Sequence, residues 1–338
     1  MVFLERMRSL DYNSCSEKCR VIHFYFSYFN KPRCFLFMSQ QKHMKAKPFI
    51  KWAGGKSQLL PSILQAIPTH LKEQDITFIE PFVGGGAVFL YLAQHMPNIK
   101  KMIINDVNAD LINVYQCVKK HPEKMIVLLK QYEEEFFSCL DEATKKIYFL
   151  EKRSLYNQRN SDAFIQASLF IFLNKTCFNG LYRVNRKNQF NVPIGSYQKP
   201  TICDAENIQR VSAILQRVEI LCGDFTETKR YIAPNTLFYF DPPYKPLTVT
   251  ANFNAYAHID FDDMAQKKLA DFCYEINQLG AQWILSNSDV KAVDPQNDFF
   301  DRLYAEYNIQ RVTASRNINS KGKKRGKISE LLVTNQGL

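Results

Sequence analysis

The chain has 338 residues and a formal net charge of +11, and 46% of its residues are hydrophobic. A chain of this length can bury a core and carry a substantial insert, and its apolar content excludes an intrinsically disordered protein. Lysine and arginine gain affinity for polyanions by displacing counterions from phosphates, so the excess of positive charge favours a nucleic-acid partner.

The first segment, residues 1–47, has the form of neither a membrane span nor a secretory signal. Its aromatic-rich run at residues 24–29 is interrupted by residues 30–33 before it is long enough to cross a bilayer. We therefore expect a soluble, cytoplasmic protein with no membrane partner. Met38 or Met44 is an alternative start, and residues 1–47 are interpreted as an amino-terminal extension without a catalytic role.

The cysteines and histidines do not form the pattern of a metal site. Nine cysteines occur at irregular spacings without a C-x-x-C pair, and we expect them to be reduced thiols. Cys15, Cys19 and His23 leave a zinc site open, although no second pair of ligands follows at the spacing of a structural zinc site. With no H-E-x-x-H motif among six scattered histidines, we expect no metal.

A glycine-rich turn follows the first predicted strand. Residues 78–80 are a short run that ends in Glu80, residues 84–86 are all glycine, and an apolar stretch typical of a helix continues from Ala87. Glycines let the backbone approach a ligand closely, as in the first loops of nucleotide-binding α/β sheets. The spacing is not G-x-G-x-x-G and lacks a Lys-Ser/Thr ending, so the turn fits neither a dinucleotide nor the triphosphate of ATP.

Four predicted strands end in an acid. The strands lead into Glu80, Asp106, Asp224 and Asp241. Because the carboxyl ends of parallel strands meet at one edge of an open sheet, we expect these acids to line one ligand site. Asp106 comes about twenty residues after the glycines, where a pair of ribose hydroxyls needs an acceptor.

Between Asp106 and Glu219 the pattern changes to long amphipathic stretches. Their apolar residues recur at helical spacing and predict a helical insert. The stretches are residues 108–130, 142–159 and 163–173.

A basic turn lies near the end of this insert. Residues 178–195 form short alternating runs around turn residues 185–188, which predicts a β-hairpin. A β-ribbon fits the major groove of DNA, where Arg183 could read a guanine edge at about 1–3 kcal/mol of discrimination and Asn179 could bond to a base edge. The alternative is a solvated basic turn.

The most specific motif is Asp-Pro-Pro-Tyr at residues 241–244, directly after the apolar strand at residues 236–240. It offers a carboxylate, carbonyl groups on two prolines that have no N–H, and an aromatic face. An exocyclic amine of a nucleobase could donate to Asp241 and to the Pro242 carbonyl while Tyr244 stacks on the ring. A strand followed by Asp-Pro also occurs as ordinary loop punctuation.

A second basic tract, residues 311–327, contains six further cations and no acid. It is expected to contact DNA phosphates through a flexible loop, with a solvated loop as the alternative. The cations are Arg316, Lys321, Lys323, Lys324, Arg325 and Lys327.

Taken together, these motifs resemble the S-adenosylmethionine-dependent DNA adenine N6-methyltransferases of the Dam type and their restriction-modification relatives. The order of the parts is also similar to the Dam-type arrangement rather than to its permuted relatives. The segments that carry the resemblance are residues 48–56, 80–86, 178–183, 190–195, 241–244, 286–287 and 329–332.

The resemblance implies a fold, a cofactor and partners. The fold is α/β, a Rossmann-like class I methyltransferase sheet with an inserted helical DNA-recognition domain that carries a β-hairpin. Residues 48–107 and 201–338 would form the catalytic domain and residues 108–200 the insert. S-adenosylmethionine is the implied cofactor, double-stranded DNA the implied partner, and a cognate restriction endonuclease a further one.

The resemblance also implies residue roles. Asp241, Pro242 and Tyr244 are the expected catalytic residues. The residues expected at the cofactor are Trp52, Lys56, Glu80, Phe82, Gly84, Asp106, Asp224 and Asp241. Those expected on DNA are Lys51, Asn179, Leu181, Arg183 and Pro193.

The expected target is adenine in GATC, because the DNA residues match members that methylate this site. Tyr182, Val184 and residues 186–188 stand where relatives vary, so another tetranucleotide stays open. Phe253 and Tyr256 are expected on a loop over the pocket, with core packing as the alternative.

Two other functions remain open. One is methylation of another amine, such as cytosine N4 or an RNA guanine N2; the long insert and Asp241, where cytosine enzymes more often have serine, weigh against it. The other is a DNA-binding regulator that has lost catalysis, which intact Asp241 and Tyr244 disfavour.

Overall fold

The structure is a computed structural model that describes residues 45–245, 261–315 and 327–336. Cys15, Cys19 and His23, the alternative zinc ligands, lie outside the described residues. So do Phe253 and Tyr256, and the basic residues 316–326.

The strands form a single twisted α/β sheet. They are β1 (Ile76–Glu80), β2 (Ile99–Asp106), β3 (Val218–Cys222), β4 (Thr236–Phe240), β5 (Gln282–Ser288), β6 (Asn308–Ser315) and β7 (Lys327–Thr334). Within the described residues their order is β3-β2-β1-β4-β5-β7-β6. β1 to β5 pair in parallel, whereas β7 runs antiparallel to both β5 and β6. This topology confirms the predicted Rossmann-like sheet.

Helices connect and cover these strands. They are α1 (Leu60–Gln65), α2 (Thr69–Glu73), α3 (Ala87–His95), α4 (Ala109–Lys120), α5 (Pro122–Ser138), α6 (Glu142–Gln158), α7 (Ala163–Thr176), α8 (Ala205–Leu215), α9 (Asp263–Gln278) and α10 (Phe299–Leu303). Short 3₁₀ helices lie at Phe178–Gly180, Phe225–Tyr231 and Val290–Ala292.

Both faces of the sheet are buried. On β1, Phe78 packs into one hydrophobic cluster and Ile79 into the other, and Ile104 and Ile103 divide in the same way on β2. Successive side chains of a strand point to opposite faces, so an all-apolar strand needs cover on both sides. This is why β4 is buried along its whole length and β1 at all but one residue.

The chain between β2 and β3 contains α4 to α8. The amphipathic stretch at residues 108–130 is not one helix, because α4 ends at Lys120 and Pro122 begins α5. Proline has no N–H to donate within a helix, but it fits the first helical turn, where no donor is needed. α7 is almost fully buried and packs against α4, α5 and α6.

The predicted β-hairpin at residues 178–195 is less regular than expected. These residues, all of which the structure describes, form two isolated antiparallel bridges instead of a continuous ladder. The bridges join Cys177 with Ile194 and Val184 with Phe190. Asn179 (φ 55°) and Gly180 (φ 64°) adopt the left-handed conformation, which breaks an extended strand. We refer to residues 177–195 as the ribbon.

Both ends of the predicted loop at residues 311–327 lie within strands. Arg311 lies within β6, and Lys327 begins β7. Arg311 forms ion pairs with Asp289 (3.3 Å) and Asp301 (2.8 Å). Its guanidinium is therefore engaged within the protein, and the predicted contact with DNA phosphates is restricted to the residues between the two strands.

Candidate active site

The acids at the strand ends meet at one edge of the sheet, as predicted. β3, β2, β1 and β4 are neighbours in the order, and each runs in the same direction. Glu80 and Asp106 end β1 and β2, Asp241 directly follows β4, and Asp224 comes two residues after β3. The parallel order brings together residues that are up to 161 positions apart in the chain.

The glycine turn is hydrogen-bonded to Asp106 and packed against buried or half-buried aromatic side chains. The Gly84 N–H donates to Asp106 Oδ2 (3.0 Å), and the Tyr115 hydroxyl donates to the Gly84 carbonyl (2.9 Å). Gly84 (φ 47°) has no space for a side chain, since a Cβ would lie 2.7 Å from the Trp52 indole. At Gly86 (φ 73°) a Cβ would lie 2.3 Å from the Phe89 ring. Neither Gly84 nor Gly86 can therefore carry a side chain unless its neighbours move.

Asp106 is held as an acceptor at the end of β2. Its Oδ1 accepts from the Asn108 N–H (2.9 Å), and Asn108 in turn caps α4 by accepting from the Leu111 N–H (3.1 Å). Burial raises the pKa of Asp106, whereas the backbone hydrogen bonds from Asn108 and Gly84 oppose this. A carboxylate offers about four lone-pair sites, so capacity remains for ligand hydroxyls.

Glu80 lies beneath the turn rather than on its surface. Its side chain is 2% exposed, and Oε2 accepts from the Phe89 N–H in the first turn of α3 (2.8 Å). Burial and the nearby charge of Asp241 raise the pKa of Glu80 well above its ordinary value. Glu80 thus anchors α3 to β1 behind the ligand edge.

Asp241 pairs with a lysine that is distant in sequence. The Lys56 Nζ lies 2.9 Å from Asp241 Oδ1, donates to the Gly54 carbonyl (2.5 Å) and is 4% exposed. It also lies 4.6 Å from the centroid of the Tyr244 ring, within cation–π range. Burial raises the pKa of Asp241 to about 6, against the opposing effect of Lys56. Lys56 therefore sustains the carboxylate form of Asp241.

The loop after β4 is fixed by polar contacts. Gln266 Nε2 donates to the Pro243 carbonyl (3.2 Å), and Asn287 Nδ2 on β5 donates to Gln266 Oε1 (3.1 Å). Pro242 is buried. The Tyr244 hydroxyl donates to Glu330 Oε2 on β7 (2.7 Å). Glu330 belongs to the segment at residues 329–332, but nothing in its sequence context marked it as a site residue.

Asp224 and Phe82 lie at the β3 side of this edge. Asp224 Oδ1 accepts from the Thr226 N–H (3.0 Å) and pairs with Lys268 (3.2 Å). Partial burial raises the pKa of Asp224, but the hydrogen bonds from Thr226 and Lys268 hold it below its ordinary value. Phe82 packs edge-on against Phe261 at 5.6 Å. Asp224 thus pairs with a lysine, as Asp241 does at the centre of the edge, but its side chain is more exposed (48% against 21%).

The residues expected on DNA meet at the ribbon. Arg183 is exposed, and its Nε donates to Asn191 Oδ1 (2.7 Å). The Phe178 N–H donates to the Pro193 carbonyl (2.9 Å), which brings Asn179 and Leu181 beside Pro193. These four expected residues therefore share one short antiparallel segment.

Lys51 joins the ribbon from a distant part of the chain. Its backbone N–H donates to Asn174 Oδ1 (2.8 Å), and its stem packs so closely on Gly180 that a Cβ there would lie 2.3 Å from Lys51 Cδ. The Lys51 Nζ lies 3.8 Å from the centroid of the Tyr197 ring. The structure thus groups all five residues expected on DNA.

An aromatic stack that the sequence did not reveal connects the glycine turn to the ribbon. Tyr182 stacks on Trp52 (centroids 5.9 Å apart) and on Phe170 of α7 (4.9 Å). Its hydroxyl donates to Asp110 Oδ2 (2.6 Å), and Arg159 binds both Asp110 oxygens. No periodic signal predicts these contacts, because the partners come from four separate segments.

The role expected of Asp241, to accept a hydrogen bond from the target amine, predicts that activity depends on pH. The carboxyl must be ionised to accept from an amine, so kcat/KM is expected to fall as the pH drops through about 6. Lys56→Met removes the charge that lowers this pKa, and the acid limb should move to higher pH. The measurement is a pH profile of methyl transfer. Lys100→Met, at an exposed lysine paired with Asp75, is the control and should leave the limb unchanged; an unmoved limb in Lys56→Met contradicts the assignment.

In the part of the chain that the structure describes, no three His, Cys, Asp or Glu side chains are grouped so that they could hold a metal ion. No helix among these residues is long and apolar enough to cross a membrane.

Comparisons with known proteins point to one family. Residues 52–318 match the family described as D12 class N6 adenine-specific DNA methyltransferase. The chain is 46% identical to Type II methyltransferase M.MjaIII of Methanocaldococcus jannaschii over 86% of this chain and 100% of the relative. It is 38% identical to Type II methyltransferase M1.LlaDCHI of Lactococcus lactis subsp. cremoris (88% and 98%) and 35% identical to a DNA adenine methylase of Haemophilus influenzae (87% and 96%).

Proposed function

This chain belongs to the D12 class of N6 adenine-specific DNA methyltransferases, and we propose that it methylates a flipped-out adenine within GATC. The family implies S-adenosylmethionine as the methyl donor and DNA as the substrate. The observation that supports the reaction best is the pair of the buried Lys56 with the partly exposed Asp241 beside Tyr244, at the sheet edge that also carries the glycine turn.

The residues at this edge fit S-adenosylmethionine. A turn of three glycines presents no side chain of its own to a ligand, and the partly buried Asp106 offers a carboxylate acceptor for ribose hydroxyls. Trp52 forms the wall above the turn. When bound, this cofactor supplies a methyl group on a positively charged sulfur. We assign Glu80, Phe82 and Asp224 supporting roles, because their polar or aromatic groups are already engaged within the protein.

Asp241 and Pro242 would orient the target amine. The lone pair of adenine N6 is delocalised into the ring, so the nitrogen is a poor nucleophile. Acceptors at the Asp241 carboxylate and the Pro242 carbonyl favour a pyramidal nitrogen whose lone pair is free to attack, and they stabilise the positive charge that develops on it. The pKa of about 6 keeps Asp241 ionised at neutral pH.

Tyr244 would hold the extruded base. A base leaves the duplex at a cost of a few kcal/mol, which stacking on an aromatic ring offsets in part. The ring of Tyr244 follows Asp241 by three residues, and its hydroxyl is tethered to β7. No covalent intermediate with the protein is needed.

We assign target recognition to residues 108–200, with the ribbon as the reading element. The support is that Asn179, Leu181, Arg183 and Pro193 share the ribbon and that Lys51 packs on it. An exposed guanidinium on a narrow antiparallel segment fits a major groove. Because relatives are named Type II methyltransferases, we also propose a cognate restriction endonuclease as a partner and cytoplasmic DNA as the substrate.

Arg183→Ala is expected to relax the choice of one base in the target. Loss of a bidentate contact with guanine costs about 1–3 kcal/mol, which corresponds to about 5- to 150-fold in discrimination. The measurement is the rate of methylation on duplexes that differ at one position. Arg186→Ala, an exposed arginine in the turn of the ribbon, is the matched control and should weaken all duplexes equally. Equal losses on all duplexes for Arg183→Ala would remove it from base reading.

The proposed function is tested by sequencing modified bases in plasmid DNA from a methylation-deficient host that expresses this chain. Methyl-adenine confined to GATC supports both the chemistry and the site. Methyl-adenine at another sequence keeps the chemistry and removes GATC. Methyl-cytosine, or unmodified DNA with methylated RNA, would instead support another amine as the acceptor, and no methylation with retained DNA binding would support a regulator.

A further inference from the structure

A carboxylate with no role assigned so far reaches the candidate active site from β7. Glu330 lies on β7, where it is paired with Ser288 of β5 on one side and Val312 of β6 on the other. Its Oε2 accepts the hydroxyl of Tyr244 at 2.7 Å. We propose that Glu330 is a positioning residue that fixes the ring of Tyr244 for stacking on the target base, an inference that rests on the proposed function.

The hydrogen bond with Glu330 restrains the side-chain torsions of Tyr244, which the backbone does not fix. Pro242 and Pro243 fix their own φ angles and so set the path of the chain into Tyr244. They do not set the side-chain torsions, which decide the plane of the ring. The hydrogen bond from the hydroxyl holds the far end of the ring, so that the ring is fixed at both ends. A stacking surface must be fixed in this way before the base arrives, because ordering it later weakens binding.

Glu330 is itself on a rigid support. β7 is bonded on both sides within the sheet, unlike an edge strand or a loop. The neighbouring Ser329 hydroxyl donates to Asp289 Oδ2 (2.6 Å), and Asp289 also binds Arg311. Sites built on strands hold side chains more accurately than sites on loops. The sheet, rather than the loop that carries Tyr244, therefore fixes the position of the Tyr244 hydroxyl.

The charge of Glu330 is unfavourable for the neighbouring groups. Burial is the main cause that raises the pKa of Asp241, and the negative charge of Glu330 raises it further, whereas Lys56 lowers it. Glu80, Tyr239 and Tyr244 also face Asp241. A neutral acceptor would satisfy the hydroxyl without this repulsion. A charged acceptor makes the stronger hydrogen bond, and a neutral amide at the same place would keep a weaker bond that still holds the ring.

The test is a double-mutant cycle on methyl transfer. Glu330→Ala and Tyr244→Phe each remove the hydrogen bond from one side, and each is expected to lower kcat about tenfold with KM for DNA changed less than about threefold. The combination should be no slower than the slower single variant, since one bond cannot be lost twice. Glu330→Gln keeps an acceptor and should retain kcat within about threefold of wild type.

The chain offers a matched control. Tyr231 donates its hydroxyl to Glu219 of β3, which is the same kind of pair away from Asp241. Glu219→Ala should leave kcat unchanged. If Glu330→Ala fails to fold, Tyr244→Phe still decides the matter. Full kcat in Tyr244→Phe, or multiplied losses in the double variant, overturns the inference while the wild-type chain still methylates adenine. A wild-type chain that does not methylate adenine overturns the proposed function instead.

Discussion

Asp241→Ala is expected to lower methyl transfer about 10³-fold or more while DNA binding stays within about threefold of wild type. The carboxylate orients the amine and stabilises the charge that develops on N6, and removal of one such group at a buried site costs on the order of 10²–10³ in rate. The measurement pairs single-turnover transfer of labelled methyl groups with a DNA-binding titration.

The experiment on Asp241 must distinguish a loss of catalysis from a loss of folding. Asp241→Ala leaves Lys56, which is 4% exposed, without its ion-pair partner, and such a loss destabilises the fold. Asp241→Asn keeps the shape and a neutral acceptor for Lys56, so it should fold more stably and remain nearly inactive. Asp75→Ala removes an acid from an exposed pair with Lys100 and serves as the control. Turnover near the wild-type rate in both Asp241 variants would exclude this residue from the mechanism.

Gly84→Ala is expected to weaken S-adenosylmethionine binding by about 10²-fold or more. A left-handed alanine costs about 1 kcal/mol, and its Cβ would lie 2.7 Å from Trp52 Cδ1. The indole or the turn must therefore move, and movement of the turn breaks the bond from the Gly84 N–H to Asp106 Oδ2. A displacement of about 1 Å at a binding site is enough for a loss of this size. The measurement is calorimetric titration with the cofactor.

Gly280→Ala is the matched control for this substitution. Gly280 has a φ of 78°, but the atoms nearest to a new Cβ belong to Pro234 at 3.9 Å. Its substitution pays the conformational cost without a collision. We expect a loss of about 1 kcal/mol in the free energy of unfolding and unchanged cofactor affinity. Equal cofactor affinities in Gly84→Ala and Gly280→Ala would exclude the turn as the cofactor cradle.

The sequence predicts the ligand edge because local patterns determine it. An apolar run that ends in an acid predicts both a buried strand and a polar residue at its carboxyl end, and parallel pairing then brings Glu80, Asp106 and Asp241 together. The break between α4 and α5 was present in the sequence as Pro122 but was outweighed by continuous periodicity on both sides.

The remaining contacts depend on the tertiary arrangement. Lys56 and Asp241 are 185 residues apart, and Glu330 reaches Tyr244 only because β7 enters the sheet between β5 and β6. The stack of Tyr182 on Trp52 likewise joins segments that share no periodic pattern. The position of Asp224 at the end of its strand was predicted from the sequence, whereas its hydrogen bond from Thr226 and its ion pair with Lys268 were not.

The glycine turn and the ribbon differ in how freely their residues can be substituted. Trp52, Phe89 and Tyr115 occupy the space in which side chains at Gly84 and Gly86 would stand, so a change at the turn requires compensating changes in several buried residues at once. In the ribbon, Arg183, Arg186 and Lys187 are exposed and can be replaced one at a time. The fold is therefore expected to tolerate single substitutions in the ribbon, whereas a single substitution at the glycine turn collides with buried side chains.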